Sequence, residues 1–186
     1  MGFDTSFAHI LPINLCQSSN IYIKKMAYLL AAMLIKPGED VGVLMHNTLI
    51  KDMKSENLYI QMIALTMLRY FLTQEICTEI LPILQKMRKH NINMIRRKSL
   101  LIMLNIHQKH PNLLPDLKQL AVDAFNDGDP PVVFAGISVL SCAVKEDPLK
   151  CKDTVKKLSE IMFNIVDHRY PHEYDYHKIP APWQQI

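Results

Sequence analysis

The chemistry-bearing side chains fall into three groups. The first is a run in which His168, His172 and His177 alternate with Asp167, Glu173 and Asp175. Imidazole and carboxylate together suit zinc or manganese. The spacings match no strong ligand motif, however, and the prolines and aromatics around them read as a loop. A solvated loop between helices is the expectation, and no metal is assigned. His107 and His110 stand three apart just ahead of Pro111 and read as a helix end. The second group is Cys16, Cys77, Cys142 and Cys151, which form no CxxC pair and are expected as reduced thiols. The sequence contains no glycine-rich phosphate loop, HExxH or Gly-x-Ser-x-Gly. Neither catalysis nor a cofactor is expected.

The third group is a charge run. No acidic residue occurs between Glu79 and Asp116, whereas Lys86, Arg88, Lys89, Arg96, Arg97, Lys98 and Lys109 do. If Lys86, Arg88 and Lys89 end one helix while Arg97 and Lys98 open the next, these five form a basic rim. Such a rim attracts phosphate, lipid headgroups or an acidic partner. Arg96 is expected to point inward as a structural donor. An ordinary solvated face is the plainer alternative, and nucleic acid is disfavoured because aromatics are not interleaved with these bases.

The elements that must carry these residues are helices. The chain has 186 residues, 49% of them apolar, 21% charged, a net charge of +3, five glycines and eleven prolines. That composition excludes disorder as the main state and disfavours sandwiches, barrels and glycine-loop nucleotide folds. The longest apolar stretch, Met26 to Ile35, is about half the roughly 20 residues of a membrane span. The N-terminus shows no signal peptide, and its Gly2 only superficially fits a myristoylation pattern. Met26, Leu29, Leu30, Met33 and Leu34 recur at helical steps, as do Ile60, Ile63, Ala64, Met67, Leu68 and Phe71. Leu100, Met103 and Leu104, then Val132, Val133, Gly136, Val139 and Leu140, repeat the pattern. Further helices are expected at 41–53, 75–87, 114–125 and 154–166. Pro37-Gly38, Asn91, Pro111 and the Asp127–Pro131 stretch separate them.

The hairpins repeat. Ala27, Ala64, Ser99 and Ala135 follow one another at 37, 35 and 36 residues, each inside the second helix of a candidate pair. A small residue at a fixed point lets the partner helix approach closely. Lys24, Gln61, Arg96 and Val132 stand three positions earlier, where a polar side chain is expected to bond the turn of the next repeat. This is the pattern of an all-α, HEAT/armadillo-like α-solenoid of antiparallel helix pairs, here a segment of right-handed superhelix. The reading takes 1–186 as one solenoid segment, with 167–182 an irregular inter-repeat loop. No sheet is expected. Because Trp183-Gln184-Gln185-Ile186 opens a helix that stops within one turn, the chain reads as a piece of something longer. Trp183 and Ile186 are then expected to pack poorly.

Several stretches resemble the large adaptins, the trunk subunits of vesicle-coat adaptor complexes. Gly2-Phe3-Asp4, with Phe7, is similar to their Gly-His/Tyr-Asp-x-x-Phe-Gly stretch. Lys24-Lys25-Met26-Ala27-Tyr28-Leu29 resembles Lys-Arg/Gln-Ile/Val-Gly-Tyr-Leu, with Ala27 where glycine is usual. Asn47-Thr48-Leu49-Ile50-Lys51-Asp52-Met53 resembles Asn-Thr-x-x-Lys-Asp-Leu, and Arg96-Arg97-Lys98-Ser99 resembles Arg-Arg/Lys-Lys-Ala. Tyr176-His177-Lys178-Ile179-Pro180-Ala181-Pro182-Trp183 is similar to Tyr-His-x-Val-Pro-Ala-Pro-Trp, the most specific of the matches. The Lys-Asp and Tyr-His forms are most like the epsilon-type large subunit of the fourth adaptor complex.

The resemblance implies a non-enzymatic scaffold segment of a heterotetrameric adaptor complex in vesicle-mediated protein transport and cargo sorting. It implies a beta-type large subunit, a medium mu and a small sigma subunit as partners, with an Arf-family GTPase and cargo tails. It also implies peripheral contact with the cytoplasmic face of trans-Golgi network or endosomal membranes. The alternative is another HEAT-type scaffold, such as a nuclear transport receptor or a phosphatase regulatory subunit.

Overall fold

The computed structural model describes residues 6–36 and 39–184. Gly2, the Gly2-Phe3-Asp4 motif, the Pro37-Gly38 break, Gln185 and Ile186 lie outside the described residues. The helices are α1 (Ile10–Leu15), α2 (Ile21–Leu34), α3 (Asp40–Met53), α4 (Leu58–Leu68), α5 (Gln74–Met87), α6 (Asn93–Lys109), α7 (Leu117–Phe125), α8 (Pro130–Glu146) and α9 (Val155–Val166). Among the described residues no helix is long and apolar enough to cross a membrane.

The chain divides into two compact units, Met1–Pro115 and Asp116–Ile186. In the first, α1/α2, α3/α4 and α5/α6 form antiparallel pairs, and α2, α4 and α6 pack side by side as one layer. In the second, α7 and α8 form the closest pair. The expected small residues are buried: Ala64, Ser99 and Ala135 are fully covered and Ala27 nearly so. Ser99 satisfies its hydroxyl by donating to the Ile95 carbonyl at 2.8 Å. Tyr28, Leu49, Leu65, Leu68, Ile76, Ile80, Leu84 and Ile95 fill the core of the first unit. Replacing Ala64 by Leu adds three carbons where no surface is open. A stability loss of roughly 1–3 kcal/mol is expected, read as a lower denaturation midpoint.

The second helix of each early pair starts the same way. Ser18 Oγ accepts from the Asn20 N–H, and Asn20 Oδ1 accepts from the N–H groups of Tyr22 and Ile23. Ser55 and Asn57 repeat this with Tyr59 and Ile60. An asparagine cap satisfies amides that the first helical turn leaves without partners. At the third pair His90 Nδ1 takes the serine's place, accepting from the Ile92 N–H. The shared Ser-x-Asn-x-Tyr-Ile pattern was present in the sequence at a 37-residue spacing.

The polar residues three before the small positions behave differently from expectation. Gln61 donates to the Ser55 carbonyl at 2.6 Å, and Arg96 to the carbonyls of His90 and Asn91 at 2.9 and 3.0 Å. Lys24 donates to the Cys16 carbonyl at 2.6 Å. Each clamps the turn leading into its own helix, not the turn of the next repeat. Side chains on a helix lean toward its N-terminus, so this turn is the one within reach. Lys24 also bonds the next pair, through Asp52 on α3.

Two further departures have local causes. The helix expected from 114 begins at Leu117, because Leu114 precedes Pro115 and is held out of the helical region, while Asp116 caps by accepting from Gln119 N–H. And the expected sheet-free loop contains a two-residue antiparallel ladder, β1 (Asp175–Tyr176) with β2 (Ile179–Pro180). His177 and Lys178 make its turn with φ of 49° and 65°, the backbone of a tight hairpin turn, here without the usual glycine. Ala181 is buried behind the hairpin and donates to the Tyr174 carbonyl. Trp183 remains 40% exposed, in edge contact with Tyr174 at 6.4 Å between centroids.

Candidate interaction surface

The five cations expected on one rim are distributed over two helix layers. Lys86, near the end of α5, lines a depression with Lys54, Glu79, Pro82 and Ile83. Lys89 follows it in the turn and is exposed, and Arg88 is half-buried. Arg97 is exposed on α6. Lys98, one residue on, is half-buried and donates to Thr66 Oγ1 of α4 at 2.7 Å. Burial first, and then the neighbouring Arg97 charge, lowers the Lys98 pKa below the usual lysine value.

Lys98 belongs to a groove that crosses the N-terminal turns of α2 and α6 and runs along α4. Ile21, Tyr22 and Lys25 come from α2, Tyr59, Met62, Ile63, Thr66 and Met67 from α4, and Met94 and Lys98 from α6. Its volume is about 680 Å³. Tyr22, Tyr59 and Met94 are largely exposed at its margins. None of the three helices contains an aspartate or glutamate. Sequence reasoning missed this groove. The acid-free run was visible for α6, but its extension to α2 and α4 emerges only when the three helices are placed in one layer.

Beneath this layer lies a buried polar cluster. Lys24 Nζ reaches Asp52 Oδ2 at 2.7 Å, and Tyr28 Oη donates to the same oxygen at 2.6 Å. Lys24 and Asp52 are both buried. Burial, reinforced by the bond to Asp52, pushes the Tyr28 hydroxyl well above the usual tyrosine range. Burial likewise raises the Cys16 thiol to about 12 despite the nearby Lys24 charge, so Cys16 is an inert structural thiol. The histidine run behaves as a loop in part: His172 Nδ1 lies 3.0 Å from Asp175 Oδ2 on the surface. Among the described residues, His168, His172 and His177 are not brought together with carboxylates as a three-ligand set.

Stacked antiparallel pairs that present an apolar and basic layer, locked from below by buried polar clamps, define a helical-repeat scaffold. The chain belongs to the adaptin family: the family's Adaptin N terminal region matches residues 1–186. It is 30% identical over 186 residues to the AP-4 complex subunit epsilon-1 of Mus musculus, covering all of this chain and 17% of that protein. It is 28% identical over 186 residues to the AP-4 complex subunit epsilon of Arabidopsis thaliana, covering all of this chain and 20% of the relative. Among solved structures it resembles a chain of a homology model of the full-length AP-3 complex in an intermediate open conformation. There the TM-score is 0.73 at 26% identity, covering 88% of this chain and 29% of the other. The chain thus spans about a fifth of the length of these curated relatives.

Proposed function

We propose that this chain is a trunk segment of a large adaptor-complex subunit and acts as a non-enzymatic scaffold in vesicle-mediated protein transport. The observation that carries the reading is the family match along the whole chain, on a fold of stacked helix pairs. Similarity to subunits of multi-subunit adaptor complexes supports assembly with a beta-type large, a medium mu and a small sigma subunit, and recruitment by an Arf-family GTPase to trans-Golgi network or endosomal membranes. The epsilon type is the reading of the subunit, on the similarity to the AP-4 epsilon subunits above. The test is affinity purification of the full-length protein from cells. Recovery of small, medium and beta-type subunits in equal amounts is expected, and recovery of none of them would overturn the reading.

Peripheral membrane contact is proposed for the basic residues Lys86, Arg88 and Lys89, at the end of α5 and in the turn after it, of which Lys86 and Lys89 are exposed. Each cation near an anionic surface contributes about 1 kcal/mol, fading within a Debye length of about 8 Å. Replacing Lys86, Arg88 and Lys89 together by Ser is expected to weaken sedimentation with acidic liposomes at low salt and to matter little at high salt. Equal binding by parent and variant at both salt levels, or no binding by the parent, would remove the membrane role.

A further inference from the structure

We infer that the groove across α2, α4 and α6 is a docking site for a short, extended segment of another protein, an apolar run with a carboxylate at each end. The inference rests on the scaffold reading for the class of its ligand, another polypeptide. Its particulars come from the groove itself.

The apolar part of the occupant follows from the lining. Met62, Ile63 and Met67 of α4 lie between the two outer helices, flanked by Tyr22 of α2 and Met94 of α6. Methionine side chains adapt to varied apolar partners, and tyrosine offers a broad face with a hydroxyl at its tip. Tyr22 is 81% exposed and Tyr59 68%, so the chain itself leaves these rings without cover.

The charge of the occupant follows from the two lysines. Lys25 stands on α2 and Lys98 on α6, so the cations flank the apolar lining from opposite helices. No carboxylate lines the groove, and none occurs anywhere in the three helices. Both lysines sit in the first two turns of their helices, where the helix dipole disfavours a cation. Thr66 engages one donor of Lys98, and an ammonium has two more. Their placement is electrostatically unfavourable for the isolated helices and becomes favourable when an anionic group arrives.

The length follows from helix spacing. Neighbouring helix axes lie about 8–10 Å apart, so the path from α2 to α6 is roughly 16–20 Å. Five or six extended residues at about 3.3 Å each span it. An extended strand is the shortest segment that reaches from one lysine-bearing helix to the other. A bilayer surface is flat and does not fill a recessed apolar groove.

The test uses the full-length protein and a fluorescein-labelled peptide, Glu-Leu-Met-Phe-Leu-Glu, with blocked termini. Two control peptides carry Gln or Lys at both ends, and vesicles of phosphatidylserine and phosphatidylcholine form a separate arm. The Glu-ended peptide is expected to bind about tenfold or more tightly than the Gln-ended one, with the difference shrinking at high salt. K25E and M94E alter largely exposed side chains and should leave the helical signal and melting temperature unchanged. Each is expected to weaken the Glu-ended peptide about tenfold or more. Equal affinity for Glu- and Gln-ended peptides overturns the inference. So does full affinity in both variants, or a vesicle interaction lost in these variants without any peptide binding. Failure of the scaffold reading would show instead as absence of adaptor subunits in the purification above. A protein that recovers those subunits but binds no peptide keeps its scaffold role and loses this groove assignment.

Discussion

Replacing Asp52 by Ala is expected to destabilise the protein by about 3–5 kcal/mol, because it strands the Lys24 ammonium without its counter-charge in a buried site. Lys24 would keep only the Cys16 carbonyl, and the Tyr28 hydroxyl would lose its acceptor. The measurement is chemical denaturation, read as a shift in midpoint at unchanged slope. The same arithmetic predicts that a well-packed apolar replacement of the whole cluster, K24M with Y28F and D52L, recovers most of the loss. A triple variant as weak as D52A would show that overpacking or lost register, and not the unpaired charge, sets the penalty. A D52A variant with parent-like stability would mean that water reaches Lys24.

Gly136 gives the second large effect, inside the Asp116–Ile186 unit. A Cβ at this position would stand 2.8 Å from the Cβ of Ala124 and 3.2 Å from two ring carbons of Phe125. Helix α7 and helix α8 approach closely here, and glycine is what permits it. A mid-helix glycine costs about 1 kcal/mol relative to Ala, so Gly136→Ala would stabilise an isolated α8. In the folded protein the Cβ contact is with another backbone-anchored Cβ, which cannot swing aside. Gly136→Val is therefore expected to lower stability by roughly 1–3 kcal/mol, at the upper end if the pair cannot separate. A compensating Ala124→Gly should recover part of the loss, and amide exchange in α7 and α8 would report where the strain goes. Stability equal to the parent in Gly136→Val would overturn the close approach.

Much of this fold was legible because the constraints that produced it act on volume. Ala27, Ala64, Ser99 and Ala135 stand where helices meet, and a meeting point accepts few side chains, so the spacing of small residues reports it directly. Gly136 was legible as an apolar-face residue but not as a close contact, since Ala135 beside it is also small. The clamps were half legible: polarity at Lys24, Gln61 and Arg96 signalled a bond, while its target depended on side-chain lean and turn geometry. The 175–180 hairpin escaped because its turn residues, His177 and Lys178, carry no glycine or asparagine to announce positive φ. The basic run was legible as charge, yet Lys86 and Lys98, twelve positions apart, look out from different helix layers. Which face a cation serves is a property of packing, and linear order does not encode it.

The caps and clamps have a consequence for how the molecule comes together. Gln61, Arg96 and Lys24 close contacts only five to eight residues apart, and the asparagine caps act within three. A helical hairpin can therefore register its own turn before any neighbouring pair has formed, at little loop-closure entropy. Chains dominated by such short-range closures fold rapidly and can nucleate at more than one place. Lys24–Asp52 and Lys98–Thr66 reach further, each linking one hairpin to a helix of its neighbour. During synthesis on the ribosome, the hairpin of α1 and α2 would emerge already turned, and α3 would be joined to it through Lys24–Asp52 and Gln17–Thr48 before α4 had emerged.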